Sequence, residues 1–291
     1  MNFDPRLPDD SVNQGTERPL LETFFLFIII AGIALASFEG LGRVLDWGIP
    51  KISYRAEQRL FGSVFNRILL KKTLGDKKIS DHQKAEAELK RIVDDLLATQ
   101  DVPYKNDLKA SISCDEDPNA FAFPGGGIVV TSGLLAAVKS EIGLAFVLGH
   151  EIGHFHHRDH LKGVGRGLLW VLISGLMGIS EIGFVGGPSE LVMLAHSRGQ
   201  ERAADSFAKG LLKKTYGNTS GATEFFHHIS GLSKLKAPEF FSTHPASKAR
   251  IEALDASASE GEEPVKLPDI FSKVCPTPSE PETDQEKTKR D

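Results

Sequence analysis

Cysteine, methionine, tryptophan and tyrosine are all scarce in this chain, with two, three, two and three among 291 residues. The two cysteines, Cys114 and Cys275, lie far apart and exclude both a disulfide framework and a four-thiolate metal site. An excess of positive charge is also missing. The 39 acidic residues outweigh 34 basic ones, which excludes a generally basic nucleic-acid binder, so no nucleic-acid partner is expected. Only one long apolar run is clear, too few for a many-span transporter. What remains is an apolar content of 41% and a charged content of 25%, ordinary for a globular protein and wrong for collagen or a wholly disordered chain. The length fits one large domain or two small ones.

The charge is uneven. Residues 1–23 carry Asp4, Asp9, Asp10, Glu17 and Glu22 against Arg6 and Arg18, a net of −3. Residues 256–291 carry nine acids and five bases, so the 232 residues between these ends sum to +2. The tail, 256–291, has too little apolar surface to offset its ordering entropy and reads as disordered, with Ile270-Phe271 as a short docking segment inside it. Residues 1–22 read as an acidic flexible leader.

Residues 23–38, TFFLFIIIAGIALASF, contain no charge. Counted outward from Leu20 to Gly42 the run is twenty-three residues, which reach roughly 34 Å at about 1.5 Å per residue and can cross a bilayer, with the anchor read as residues 23–42. Ala34-Leu35-Ala36 fits a signal-peptidase site, but the leader is long and acidic where a short basic one is expected, so an uncleaved anchor is the reading. Arg43, Lys51 and Arg55 follow the span and Arg6 and Arg18 precede it, a small excess favouring a cytoplasmic C-terminal domain; the early span suits export equally. The expected location is a membrane, held by a single-pass anchor in contact with lipid, and the bacterial inner membrane fits.

Residues 52–255 read as an α+β domain, mainly helical around a small sheet. Leu60, Phe61, Val64, Phe65, Ile68 and Leu69 repeat at helical spacing, as do Leu89, Ile92, Val93, Leu96 and Leu97. The period then changes to two. Leu108, Ala110, Ile112 and Cys114 alternate with polar residues as a half-buried strand, with Cys114 a small inward-facing hydrophobe. Pro124-Gly-Gly-Gly127 between Phe121-Ala-Phe123 and Ile128-Val-Val130 signals a hairpin. A second apolar stretch, 167–187, holds Glu181 and several glycines and reads as a buried or membrane-dipping hairpin rather than a free-standing span.

The informative motif is Gly149-His-Glu-Ile-Gly-His154. Helical positions i and i+4 share a face, so His150 and His154 can present imidazole nitrogens to one metal. Glu151 lies about 100° round the helix, beside the metal, where it reaches a bound water. Zinc needs a third protein ligand. His160 stands six residues beyond His154, a metzincin spacing, but that arrangement needs glycine at position 157 and this chain has His157. The competitor is the pair Glu201 and Asp205, at i and i+4 in SRGQERAAD, one to ligate and one to hold a ligand histidine by its other ring nitrogen. Glu201 is favoured.

Asn119–Leu135 (NAFAFPGGGIVVTSGLL), GHEIGH, SRGQERAAD and Ser242-Thr-His-Pro245 with Arg250-Ile251 follow one another in an order that resembles the membrane-associated zinc endopeptidases, the gluzincin family that includes HtpX, BepA and the CaaX prenyl-protein endopeptidase. The resemblance covers roughly residues 52–255. It implies one zinc ion per chain, held by His150, His154 and Glu201, with Glu151 as general base and Asp205 behind a ligand histidine. It also puts His244 near the zinc, as an oxyanion donor or as an inhibitory ligand, and makes Arg250 a second donor or a structural ion pair. Ala203 replaces a common family glutamate, and Arg158-Asp159-His160 replaces Arg-His; neither is a ligand position. His156, His157 and His160 read as solvating the helix end.

The implied activity is peptide-bond hydrolysis by zinc-activated water in quality control of misfolded proteins, with unfolded or extended polypeptides as partners held by the 121–130 hairpin. An inactive zinc-stabilised chaperone or scaffold, and a processing peptidase for one membrane protein, are the rival expectations.

Overall fold

Helical periodicity accounts for most of the chain, and the computed structural model describes residues 19–73, 79–176, 196–230, 240, 243–244, 248–256 and 265–275. Residues 1–44 form one unit and 45–291 another. Helix α1, Pro19–Gly48, carries no charge over residues 23–38, with a window of mean hydropathy 2.3 that the protein leaves uncovered. Phe24, Phe27, Ile29 and Ile33 are each more than half exposed. A core helix of a soluble protein would be covered by its own chain; this one is long and apolar enough to cross a membrane. It runs beyond both ends of the 23–42 stretch.

The second unit is an α+β domain. Helix α2, Tyr54–Thr73, is followed by α3, Ile79–Ala98. On α3 the stripe Ala85, Leu89, Ile92, Val93, Leu96 and Leu97 is fully buried. On α2 the apolar spacing does not mark a buried face throughout, because Leu60 is exposed; side chains 64–73 lie outside the described residues. Three strands follow: β1 Lys109–Ser113, β2 Ala120–Phe123 and β3 Gly127–Thr131. The order is β1-β3-β2, with β1 parallel and β2 antiparallel to β3, so β2 is an edge. The hairpin turn needs glycine, since Gly125 and Gly126 have φ of 91° and 90° and a Cβ on Gly125 would lie 2.8 Å from the Gly62 nitrogen.

Helix α4, Ser132–Ala137, leads into α5, Glu141–His156. Every α5 residue from Glu141 to Phe155 is buried, and Ser140 caps the helix by accepting the Gly143 N–H at 3.0 Å. Leu144, Leu148 and Ile152 of α5 share one core with Ile112, Ile128 and Val130 of the sheet and with the α3 stripe. Arg158, with φ 61°, breaks the chain between α5 and α6, Asp159–Leu176. The 167–187 stretch thus belongs to a helix as far as Leu176, and the rest of it lies outside the described residues. Helix α7, Arg198–Tyr216, starts with a Ser197–Gln200 capping box and stops at Gly217, φ 76°. Two short helices follow among the described residues, α8 Glu224–Ser230 and α9 Lys248–Asp255.

Two expectations need correcting here. Cys114 is exposed, not inward-facing, because the strand ends at Ser113, and it is disulfide-bonded to Cys275, 161 residues away. The segment 265–275, read as part of a disordered tail, is docked. Lys266 bridges Ser140, the Leu267 N–H donates to Lys139 O, and Phe271 and Val274 enter the core. Backbone pairing and two apolar anchors supply what the composition average of the tail conceals. Residues 276–291 lie outside the described set.

Candidate active site

Small residues bring two helices together to make the site. Gly149 and Gly153 on α5 face Ala208 and Ala204 on α7; a Cβ on Gly153 would lie 2.9 Å from the Ala204 Cα. That close approach puts Glu201, one turn from Ala204, against His150 and His154. His150 Nε2 and His154 Nε2 are 3.0 Å apart, and Glu201 Oε1 is 3.2 Å from His154 Nε2. His244 joins them from the segment before α9, its Nδ1 3.1 Å from Glu201 Oε1 and 3.3 Å from His150 Nε2. Donor atoms of His150, His154, Glu201 and His244 all lie within 4.8 Å of one another, and all four residues are buried.

His150 and His154 each have a carboxylate close to the other ring nitrogen. His150 Nδ1 lies 2.9 Å from Asp205 Oδ1, and His154 Nδ1 is 3.1 Å from Asp159 Oδ2. Both imidazoles turn Nε2 toward each other, an arrangement that needs a proton or a cation between them. Without a metal the carboxylates favour an imidazole that has taken a proton from solvent. Burial favours neutral His150, but Asp205 and Glu201 overcome it and raise its pKa to about 10. Glu201 moves the opposite way: burial opposes ionisation, yet the three histidines hold its carboxyl far below the usual range. With the histidines neutral, as metal ligands must be, four buried carboxylates, Glu151, Asp159, Glu201 and Asp205, meet two cations, Arg250 and Lys162, leaving −2. A dication matches that deficit, and the imidazole and carboxylate donors suit zinc.

Glu151 stands beside the donors rather than among them. Its Oε2 accepts the Ala122 N–H of edge strand β2 at 3.0 Å, and its buried Oε1 has no hydrogen-bond partner among the described residues. His244 Nε2 is 3.5 Å from that Oε1. The cavity bounded by Phe121, Ala122, Glu151, His196 and His244 holds only about 20 Å³, so this arrangement is closed to a peptide.

Several residues escaped the sequence reading. Asp159 holds His154, although only the break at Arg158 carries it back there. His196 stacks on the His154 ring at 3.9 Å, and its backbone N–H donates to Thr243 O, tying down the His244 segment. His160 is not solvating a helix end. It is buried on Glu57, 2.9 Å away, and is not one of the four converging donors. Glu57 also accepts the Gly125 N–H at 2.8 Å and pairs with Arg158. Arg250 makes two 2.8 Å hydrogen bonds to Asp205 and pairs with Glu201, a structural ion pair that fixes both carboxylates.

The family model for peptidase family M48 matches residues 83–258, which include all of these site residues except Glu57. A mitochondrial metalloendopeptidase OMA1 of Schizosaccharomyces pombe is 25% identical over 236 residues, 77% of this chain and 68% of its own. A protease HtpX homolog of Pyrobaculum calidifontis is 31% identical over 47% of this chain and 36% of its own. A beta-barrel assembly-enhancing protease of Yersinia pestis is 28% identical over 46% of this chain and 31% of its own. The chain thus spans about two thirds of the first relative and about a third of the other two.

Proposed function

The chain belongs to peptidase family M48, and on that footing we propose that it is a membrane-anchored zinc metalloendopeptidase acting on unfolded or damaged polypeptides. The observation that carries the reading is the pair of Nε2 atoms 3.0 Å apart, facing Glu201, with Glu151 Oε1, which has no hydrogen-bond partner among the described residues, beside them. His150, His154 and Glu201 hold the metal, and Asp205 and Asp159 fix the two imidazoles. Zinc, when bound, supplies a Lewis acid that polarises the scissile carbonyl and acidifies water.

Glu151 moves the proton. Its Oε1 takes one from the attacking water and returns it to the leaving amine. In the closed arrangement its Oε2 is engaged by the Ala122 N–H. A substrate strand added to the β2 edge offers a carbonyl to that N–H and frees the carboxylate, so backbone binding and base release are linked. Main-chain recognition favours extended polypeptides over one sequence motif, which suits quality control. His244 fills a position among the metal donors in the closed state and must move before a peptide enters.

The Cys114–Cys275 disulfide supports an oxidising compartment for this domain, on the side of the membrane away from a reducing cytosol. Maleimide labelling of unreduced cells should leave both cysteines unmodified; labelling of both would overturn that side. Function is tested with casein, wild type against Glu151→Gln, with zinc measured in each. Activity lost with one zinc retained supports the enzyme. Zinc binding with no cleavage by wild type, and binding of unfolded chains alone, would make the protein a scaffold.

A further inference from the structure

A groove of about 200 Å³ lies between α7 and α9, with Asp205 among the residues that line it. Arg198, Arg202 and Lys209 line it from α7, and Arg250 and Leu254 from α9. Arg250 and Asp205 neutralise each other through two 2.8 Å hydrogen bonds. Arg198, Arg202 and Lys209 pair with no carboxylate among the described residues, so the groove holds three uncompensated cations. They fall at i, i+4 and i+11, three turns of one helix face, where like charges repel. A bound anion removes that repulsion.

We propose that this groove is a binding site for a phosphate group. Two arginine forks suit phosphate oxygens, which they engage bidentately, and Lys209 adds a point charge at the other end. Ala249, Ala253 and Leu254 form an apolar wall that accommodates the carbon of a phosphate ester. The group has two sources with the same chemistry, free phosphate and the headgroup of an anionic phospholipid, and the test separates them. The site is independent of the peptidase reading, since none of the three cations touches a metal donor.

The full chain in neutral detergent is titrated calorimetrically with inorganic phosphate, with a short-chain phosphatidylglycerol and with the matching phosphatidylcholine. Saturable binding of phosphate and phosphatidylglycerol supports the site, as does binding of phosphatidylglycerol alone, which assigns it to a headgroup. Affinity should fall with rising salt, and by about tenfold in Arg198→Ala/Arg202→Ala, with Arg198→Lys/Arg202→Lys recovering only part of it because the charge is kept and the fork is lost. Unchanged zinc content in the double variant shows that the fold persists. Equal binding of phosphatidylcholine, no binding of either anion, or unaltered affinity in the alanine variant overturns the proposal.

Discussion

Glu151 and Glu57 are both buried carboxylates, and their surroundings give them opposite tasks. Glu151 keeps one oxygen unpartnered beside the histidines, which is what a proton carrier needs. Its replacement by glutamine should lower kcat by about 10²- to 10⁴-fold without loss of zinc, read from casein cleavage and metal analysis. Glu57 has both oxygens engaged. Burial would raise its pKa, but the His160 and Gly125 hydrogen bonds and the charge of Arg158 hold it below the usual range. A carboxyl lowered on folding contributes stability that is present above its unfolded pKa and lost as pH falls through the lower folded value. Glu57→Gln should therefore cost about 3–5 kcal/mol near neutrality and flatten the acid limb of stability against pH, measured by urea unfolding from pH 7 to 3. At the metal, Glu201→Gln should weaken zinc binding and His160→Ala should not, because His160 belongs to the Glu57 network. His244→Ala should raise the cleavage rate at unchanged zinc content by opening the closed cavity; a fall in kcat would make His244 a donor instead.

Among the elements, the α5–α7 contact decides ligand geometry. Gly153 meets backbone atoms of Ala204, which cannot rotate aside, so Gly153→Ala must separate the helices. The expected result is a loss of about 1–3 kcal/mol and weaker zinc retention against a chelator, despite the better helix propensity of alanine. Gly210, on the same α7, has nothing within 4 Å of an added Cβ. Gly210→Ala should leave zinc binding alone and stabilise the protein by up to about 1 kcal/mol in urea unfolding. Opposite signs for two glycine-to-alanine changes, one inside the α5–α7 contact and one on an open face of α7, distinguish close packing from propensity. Strand β2 carries the other elemental consequence. Its Ala122 N–H is committed to Glu151, so a proline there removes both the docking edge and the contact that restrains the base.

For the molecule as a whole, the disulfide and the docked 265–275 segment close the catalytic unit on itself. The bridge joins residues 161 apart and limits the freedom of the unfolded chain, so reduction should lower stability by about 2–5 kcal/mol, measured by urea unfolding with and without reductant. Much of this architecture was legible from local pattern. The long apolar helix, the α3 stripe, the hairpin turn and the shared face of His150 and His154 follow from periods of 3.6 and 2, from an uncharged run and from glycine at positive φ, all of which act locally. The choice between Glu201 and His160 was open on spacing alone, and Asp159 and Glu57 carried no signal. The sequence by itself determined which residue types meet a cation on one helix face, because a helix places i and i+4 together wherever it lies. Only the tertiary structure decided which distant carboxylates complete the set, which cysteines pair, and that β1 runs parallel to β3. Those depend on how closely Gly153 lets α7 approach and on where the chain end docks, distances that no local period encodes.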